Sequence, residues 1–133
     1  MMFKSLTALL LIIILGLTAC SILIPGNPTE SPSSGIEGYV TLGPICPGPV
    51  TVGDLNCHDK PYEAKISVMD SNNHLITQFE TEETGYFKVN LYPGTYILHP
   101  ESGDPLPFAS DQTVIVTDTQ YTPVSIQYDT GIR

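Results

Sequence analysis

The chain has 133 residues, room for one domain and little else. Fourteen acidic residues stand against five Lys and Arg, a formal charge of −9 at pH 7, or −10 once the segment carrying Lys4 is removed. That surplus repels polyphosphates and anionic headgroups, so nucleic acid is excluded as a partner and any membrane attachment needs another source.

The first predicted element is an address. Lys4 is followed by a nearly unbroken apolar run, Leu6 to Leu17, too short for a bilayer span of roughly 20 residues. Leu17-Thr18-Ala19-Cys20 then resembles the lipobox of bacterial lipoproteins. The resemblance implies a signal peptide over 1–19, cleavage before Cys20, a diacylglycerol on its sulfur and a further acyl chain such as palmitate on its amine. Two or three acyl chains hold firmly where one does not. The expected place is therefore a cell membrane or outer membrane, facing away from the cytoplasm. Ser21 stands where an Asp often signals inner-membrane retention, which favours the outer membrane of a diderm cell.

With Cys20 consumed by lipid, Cys46 and Cys57 remain as one pair, exported to where disulfides persist. Residues 20–35 form the expected tether. From Pro25 to Gly35 it has no aliphatic side chain and cannot build a core, so it reads as an extended stalk reaching at most ~35 Å.

Period-two alternation starts at Ile36 and defines a domain over 36–133. Ile36, Gly38, Val40 and Leu42 form the inward side of a first strand; Ala64, Ile66 and Val68 that of a second. Asp70-Ser71-Asn72-Asn73 is a turn, and Leu75, Thr77, Phe79 and Thr81 share one side of a third strand. Thr84-Gly85 breaks the chain before Phe87, Val89 and Leu91, and Pro93-Gly94 before Tyr96 and Leu98. A Pro-rich loop follows, then Val114 and Val116, then Val124, Ile126 and Tyr128. The expectation is all-β: a seven-stranded antiparallel β-sandwich.

Ala64-Lys65-Ile66-Ser67-Val68-Met69-Asp70, Thr84-Gly85-Tyr86-Phe87-Lys88-Val89 and Leu91-Tyr92-Pro93-Gly94-Thr95-Tyr96 together resemble the carboxypeptidase regulatory-like domain. The resemblance covers most of Ile36 to Tyr128 and implies a transthyretin-like (prealbumin-like), Ig-like sandwich serving as an accessory, adhesion or packing module. The insertion from Pro44 to Pro61 looks like a variation found in small envelope lipoproteins with that domain. Fold likeness of this kind does not carry function.

The search for chemistry is mostly negative. No His-x-x-Glu pair is present: His58, His74 and His99 are followed at that spacing by Pro61, Thr77 and Ser102. The chain ends Tyr128-Asp129-Thr130-Gly131 rather than in the Tyr-Arg-Gly-Ser signature of transthyretin-like hydrolases. Cys46, Cys57, His58 and Asp59 lack the spacing of a structural zinc motif, and no G-x-S-x-G turn supports a serine nucleophile. Asp54, Asp59, Glu101 and Asp104 are loop carboxylates without an EF-hand frame, and Glu80, Glu82 and Glu83 read as a charged strand end. No metal, cofactor or catalytic residue is therefore expected.

Tyrosines are the better lead. Tyr39 and Tyr86 fall on the outward phase of their strands, and Tyr62 sits beside the Cys loop. Exposed rings stack on sugars or anchor a protein, and β-sheets also use Tyr for ordinary packing. The expectation is a lipid-anchored, non-catalytic interaction or structural module. Its working surfaces are the Cys46–Cys57 loop and the Pro100–Ser110 loop, and its partner an envelope protein. Glycan binding through exposed Tyr is the alternative, requiring two or more rings on one open face. A hydrolase is the third reading, requiring a polar pocket.

Overall fold

The computed structural model describes residues 31–49 and 52–133. The expected signal peptide, Cys20 and most of the tether lie outside the described residues.

The described chain is all-β apart from one short 3-10 turn and folds as two facing sheets. Eight strands form: β1 (Gly35–Gly43), β2 (Lys60–Pro61), β3 (Lys65–Asp70), β4 (Leu75–Glu80), β5 (Tyr86–Asn90), β6 (Gly94–Pro100), β7 (Gln112–Val116) and β8 (Tyr121–Asp129). The expected count of seven is corrected to eight by β2, whose two residues inside the Cys insertion are too few to show alternation.

In the first sheet β1 is central. β8 runs parallel along its whole length, from Gly35↔Tyr121 to Gly43↔Asp129. Its other edge takes β5 and then β2, both antiparallel. The expectation of a purely antiparallel sandwich is therefore also corrected. A parallel pair cannot be joined by a hairpin, and here the connection is the entire rest of the domain. The second sheet has the order β4-β3-β6-β7 and is antiparallel throughout.

The core is the expected period-two set. Ile36, Val40, Phe87, Val124, Ile126 and Tyr128 from the first sheet meet Ile66, Val68, Leu98, Val114 and Val116 from the second. Burying each large aliphatic or aromatic side chain stabilises by about 1.5–3 kcal/mol. Phe79 and Phe87 join the two layers with ring centroids 5.1 Å apart.

Buried polar groups are satisfied. The Thr81 hydroxyl donates to the Tyr62 carbonyl (3.0 Å) and accepts from the Ala64 amide (2.9 Å). Ser34, two residues before Ile36, is also buried, its hydroxyl donating to the Leu91 carbonyl at 2.8 Å.

The expectation that Leu75 shares one side of its strand with Thr77, Phe79 and Thr81 is overturned. A register shift between Val68 and Met69 makes β4 slip against β3, so Leu75 pairs with Met69 on the outer side. Leu75 is 62% exposed and Ile76 50%. A bulge re-aims whatever follows it, and sequence alternation cannot see that slip.

The insertion is closed by the Cys46–Cys57 disulfide, Cα atoms 5.3 Å apart. A cross-link closing a loop of this size stabilises by about 3 kcal/mol in the chain-entropy account. Asp54 caps the 3-10 turn by accepting from the Asn56 amide.

Tyr128 anchors the lower core. Its ring packs on Tyr62 with centroids 4.9 Å apart, and its hydroxyl donates to the Glu101 carbonyl at 2.9 Å. Burial, chiefly, pushes the phenol up to about 12, with Tyr62 and Glu101 adding to the shift. A phenol raised in the folded state contributes stability that is complete below the unfolded value of about 10 and lost as pH climbs through the folded one. Phenolate absorbance of wild type minus Tyr128→Phe is expected to titrate near pH 12; a difference curve centred near 10 would mean the ring is not buried.

Candidate functional site

Three strands of the first sheet set out an open face. Register places Asn90, Gly35 and Tyr121 in one cross-strand row, Lys88, Glu37 and Pro123 in the next, and Tyr86, Tyr39 and Ser125 in the third. These are the residues of opposite phase to the core set, so they face away from it.

The third row carries the main aromatic feature. Tyr39 and Tyr86 lie with centroids 5.4 Å apart and planes tilted by 57°. Tyr39 is 56% exposed and Tyr86 half-buried. Beside them runs a shallow open groove of about 520 Å³, bounded by the two rings, Glu37 and the 123–125 segment of β8. Its walls are mostly apolar, with Glu37 and Ser125 among the residues that line it. That is a surface on which a flat, partly apolar ligand can stack while its hydroxyls find hydrogen-bond partners.

The first two rows form a rigid support. Gly35 has no side chain, so Tyr121 reaches across β1 and donates its hydroxyl to Asn90 Oδ1 at 2.6 Å. Lys88 Nζ sits 3.9 Å above the Tyr121 ring centroid and 3.2 Å from Glu37 Oε2. The hydrogen bond to Glu37 raises the Lys88 ammonium above its ordinary value, with a smaller Coulombic contribution. The cation is thus already matched by a carboxylate, and the face offers no free positive charge for an anionic ligand.

The structure brings Tyr39 and Tyr86 together and sets Tyr62 apart. Tyr62 is half-buried against Tyr128 and belongs to the packing around the core. Tyr121, which sequence reading did not single out, is the third ring of the face. Its signal was available, since it is in phase with Pro123 and Ser125 and out of phase with Val124, Ile126 and Tyr128. Nothing in the sequence said that β8 would lie beside β1.

The two loops expected to work do share one end of the molecule. Because β1 and β8 are parallel, the Cys46–Cys57 loop, the Pro100–Ser110 loop and the segment after Asp129 all leave the sandwich at the same pole. Phe108 bridges to Asp129, and Thr130 donates to the Pro44 carbonyl at 2.6 Å. Arg133 grips the Asp129 carboxylate with two hydrogen bonds (2.7 and 3.0 Å), holding it down to about 2. Leu106 and Phe108 are exposed there.

The acidic loop residues have separate jobs. Asp54 caps the turn, Asp59 accepts from Gln127, and Glu101 accepts from Gln78 and pairs with Lys65. Among the described residues no group of three or more His, Cys, Asp or Glu is placed to hold a metal ion. Cys46 and Cys57 are bonded to each other, so they are not thiolate ligands in this form. On the second sheet His99 Nδ1 lies 2.7 Å from Asp111 Oδ1 and is in register with Ser67, whose hydroxyl accepts from Gln78. These contacts link β4 to β3 and β6 to the residue that leads into β7.

No family model matches the chain, and no curated protein matches it. Among solved structures it is similar to the TIE protein of Bacillus anthracis, with 18% identity over 73% of this chain and a TM-score of 0.43. The match covers 17% of that protein's length.

The face depends on the close approach of β8 to β1. A Cβ on Gly38 would collide with the backbone oxygen of Val124, an obstacle that no rotamer can move. Gly38→Ala is therefore expected to cost about 1–3 kcal/mol, read from the denaturant midpoint. An unchanged midpoint would contradict the pairing that builds the face.

Proposed function

We propose that the chain is an exported, lipid-anchored envelope protein whose β-sandwich is a non-catalytic binding module of the carboxypeptidase regulatory-like kind. Its ligand is a neutral glycan, bound on the outer face of the first sheet. The observation that carries this reading is the Tyr39–Tyr86 pair, joined by Tyr121 on one open face and bordered by Glu37 and Ser125. Sugar rings have apolar faces that stack on phenol rings, and equatorial hydroxyls that bond to carboxylate and hydroxyl groups. The tilt of the pair suits two contacts on successive, mutually twisted sugar units better than one flat sheet of rings.

Charge supports a neutral ligand. The chain is strongly acidic, and the cation on the face is engaged by Glu37 and Tyr121. An acidic polysaccharide would meet repulsion without compensation.

A second reading, a protein partner, rests on the pole opposite the tether. Leu106 is 46% exposed and Phe108 50%, next to the disulfide loop. Exposed apolar side chains on a stiffened loop are usual anchors for a protein.

The full lipidated chain, held in detergent, is tested for retention on insoluble neutral polysaccharides and on peptidoglycan. Retention is expected on at least one neutral polymer, lowered about ten-fold by Tyr39→Ala and by Tyr86→Ala with an unchanged circular dichroism spectrum. Retention lowered instead by Phe108→Ala, or binding only to an envelope protein, moves the function to the loop pole. No retention on any polymer overturns the glycan reading.

A further inference from the structure

The outer face of the second sheet is divided across its strands. At the end where β3 begins and β6 finishes, it is polar: Lys65, Ser67, Gln78, His99, Glu101 and Asp111. At the other end it is apolar. Leu75, Met69 and Ile97 are successive neighbours across β4, β3 and β6, with Ile76 beside them; the row ends on β7 at Thr113, and Ile115 lies in the next outward row, opposite Thr95. Leu75, Ile76 and Ile115 are 62, 50 and 64% exposed.

This row lies at the end where the tether enters. Ser34 bonds to Leu91 just ahead of the β5–β6 turn, and Ser31 to Ser34 run against Tyr92, Pro93 and Asp118, which connect the two sheets there. The same end carries the Asp70–Tyr96 pair, one position beyond Met69 and Ile97, and the Gly94–Val116 pair two positions further on. Tyr92, 58% exposed, adds an aromatic ring of the kind that favours a membrane–water boundary. Ser31 is eleven positions after Cys20, so the tether end cannot stand more than about 40 Å from the lipid.

From this placement we infer that the apolar end of the second sheet rests on the bilayer that holds the lipid anchor, with Leu75, Ile76, Met69, Ile97 and Ile115 seated at the headgroup boundary. The inference rests on the lipid-anchor reading above. A short tether keeps the patch at high effective concentration over the surface, so a contact too weak to recruit a free protein still holds an anchored one. The patch carries no Lys or Arg and is flanked by Asp70 and Asp118, whose charge sets it against anionic headgroups and leaves a zwitterionic surface as its partner. Asp70 is held ionised by amides of Asn72 and His74, the His74 amide having the larger effect. Contact at this face turns the Tyr39–Tyr86 face, on the opposite sheet, away from the membrane.

The test uses the full lipidated chain reconstituted into phosphatidylcholine vesicles, labelled with an environment-sensitive fluorophore at Ile115→Cys or, as control, at Gln78→Cys. Both positions are exposed, so labelling leaves the core intact. Brominated phosphatidylcholine is expected to quench the Cys-labelled 115 position at least two-fold more than position 78. Co-flotation with vesicles but equal, weak quenching at both positions overturns the membrane contact and leaves the anchor standing. Fluorophore burial at 115 without quenching by bromolipid means that a second copy or another protein covers the patch, and also overturns it. Failure of the chain to co-float overturns the anchor reading and the inference with it.

Discussion

The parallel pairing of the first and last strands is the constraint on which the rest of this domain depends. It commits both edges of β1, one to β8 and the other to β5 and β2, and makes the first strand of the domain the centre of a sheet. It also closes the chain on itself, because everything between the two strands must fold back before the pair can form. Loop closure of that length is slow to form rather than costly to keep, since its entropy grows only logarithmically with length. Both strands approach closely at Gly38, where no other residue fits against Val124. From that one pairing follow the row arrangement of the tyrosines and the gathering of the disulfide and Pro-rich loops at one pole.

Much of the fold was legible in the sequence, for a simple reason. Side chains alternate along a strand, so Ile66 and Val68, Val114 and Val116, and Val124, Ile126 and Tyr128 declare their inward side without knowledge of their neighbours. What stayed hidden is set between strands rather than along them. The parallel direction of β8 was invisible, and so was the slip that turns Leu75 outward. β2 escaped because two residues carry no period. The Cys46–Cys57 bond was readable because assigning Cys20 to the expected lipid site left a single pair of cysteines.

The candidate site was legible in part. Phase alone put Tyr39 and Tyr86 on the outer side, but only the antiparallel register of β1 and β5 makes them neighbours. Tyr121 needed β8 beside β1 and an empty position at Gly35. Tyr62 shows the opposite failure. Its nearness to the cysteines suggested exposure, whereas Tyr128 offers it a ring to pack on. The Glu101, Gln78, Ser67 and Lys65 contacts illustrate why scattered polar residues mislead: each has a partner on the next strand, and together they hold the sheet.

Two outer faces of opposite character therefore bracket one core. One is aromatic and neutral in balance, the other apolar near the tether and polar beyond it. On the proposed lipid anchor, a sandwich with these faces would present its rings to whatever lies beyond the membrane. The most direct measurement is an amide chemical-shift titration of the full lipidated chain in nanodiscs with a soluble oligosaccharide cut from the polymer that retains it. The expected shifts gather at Gly38, Tyr39, Tyr86, Val124 and Ser125. Shifts confined to the Cys46–Cys57 and Leu106–Phe108 region, or none at saturating sugar, would contradict the account.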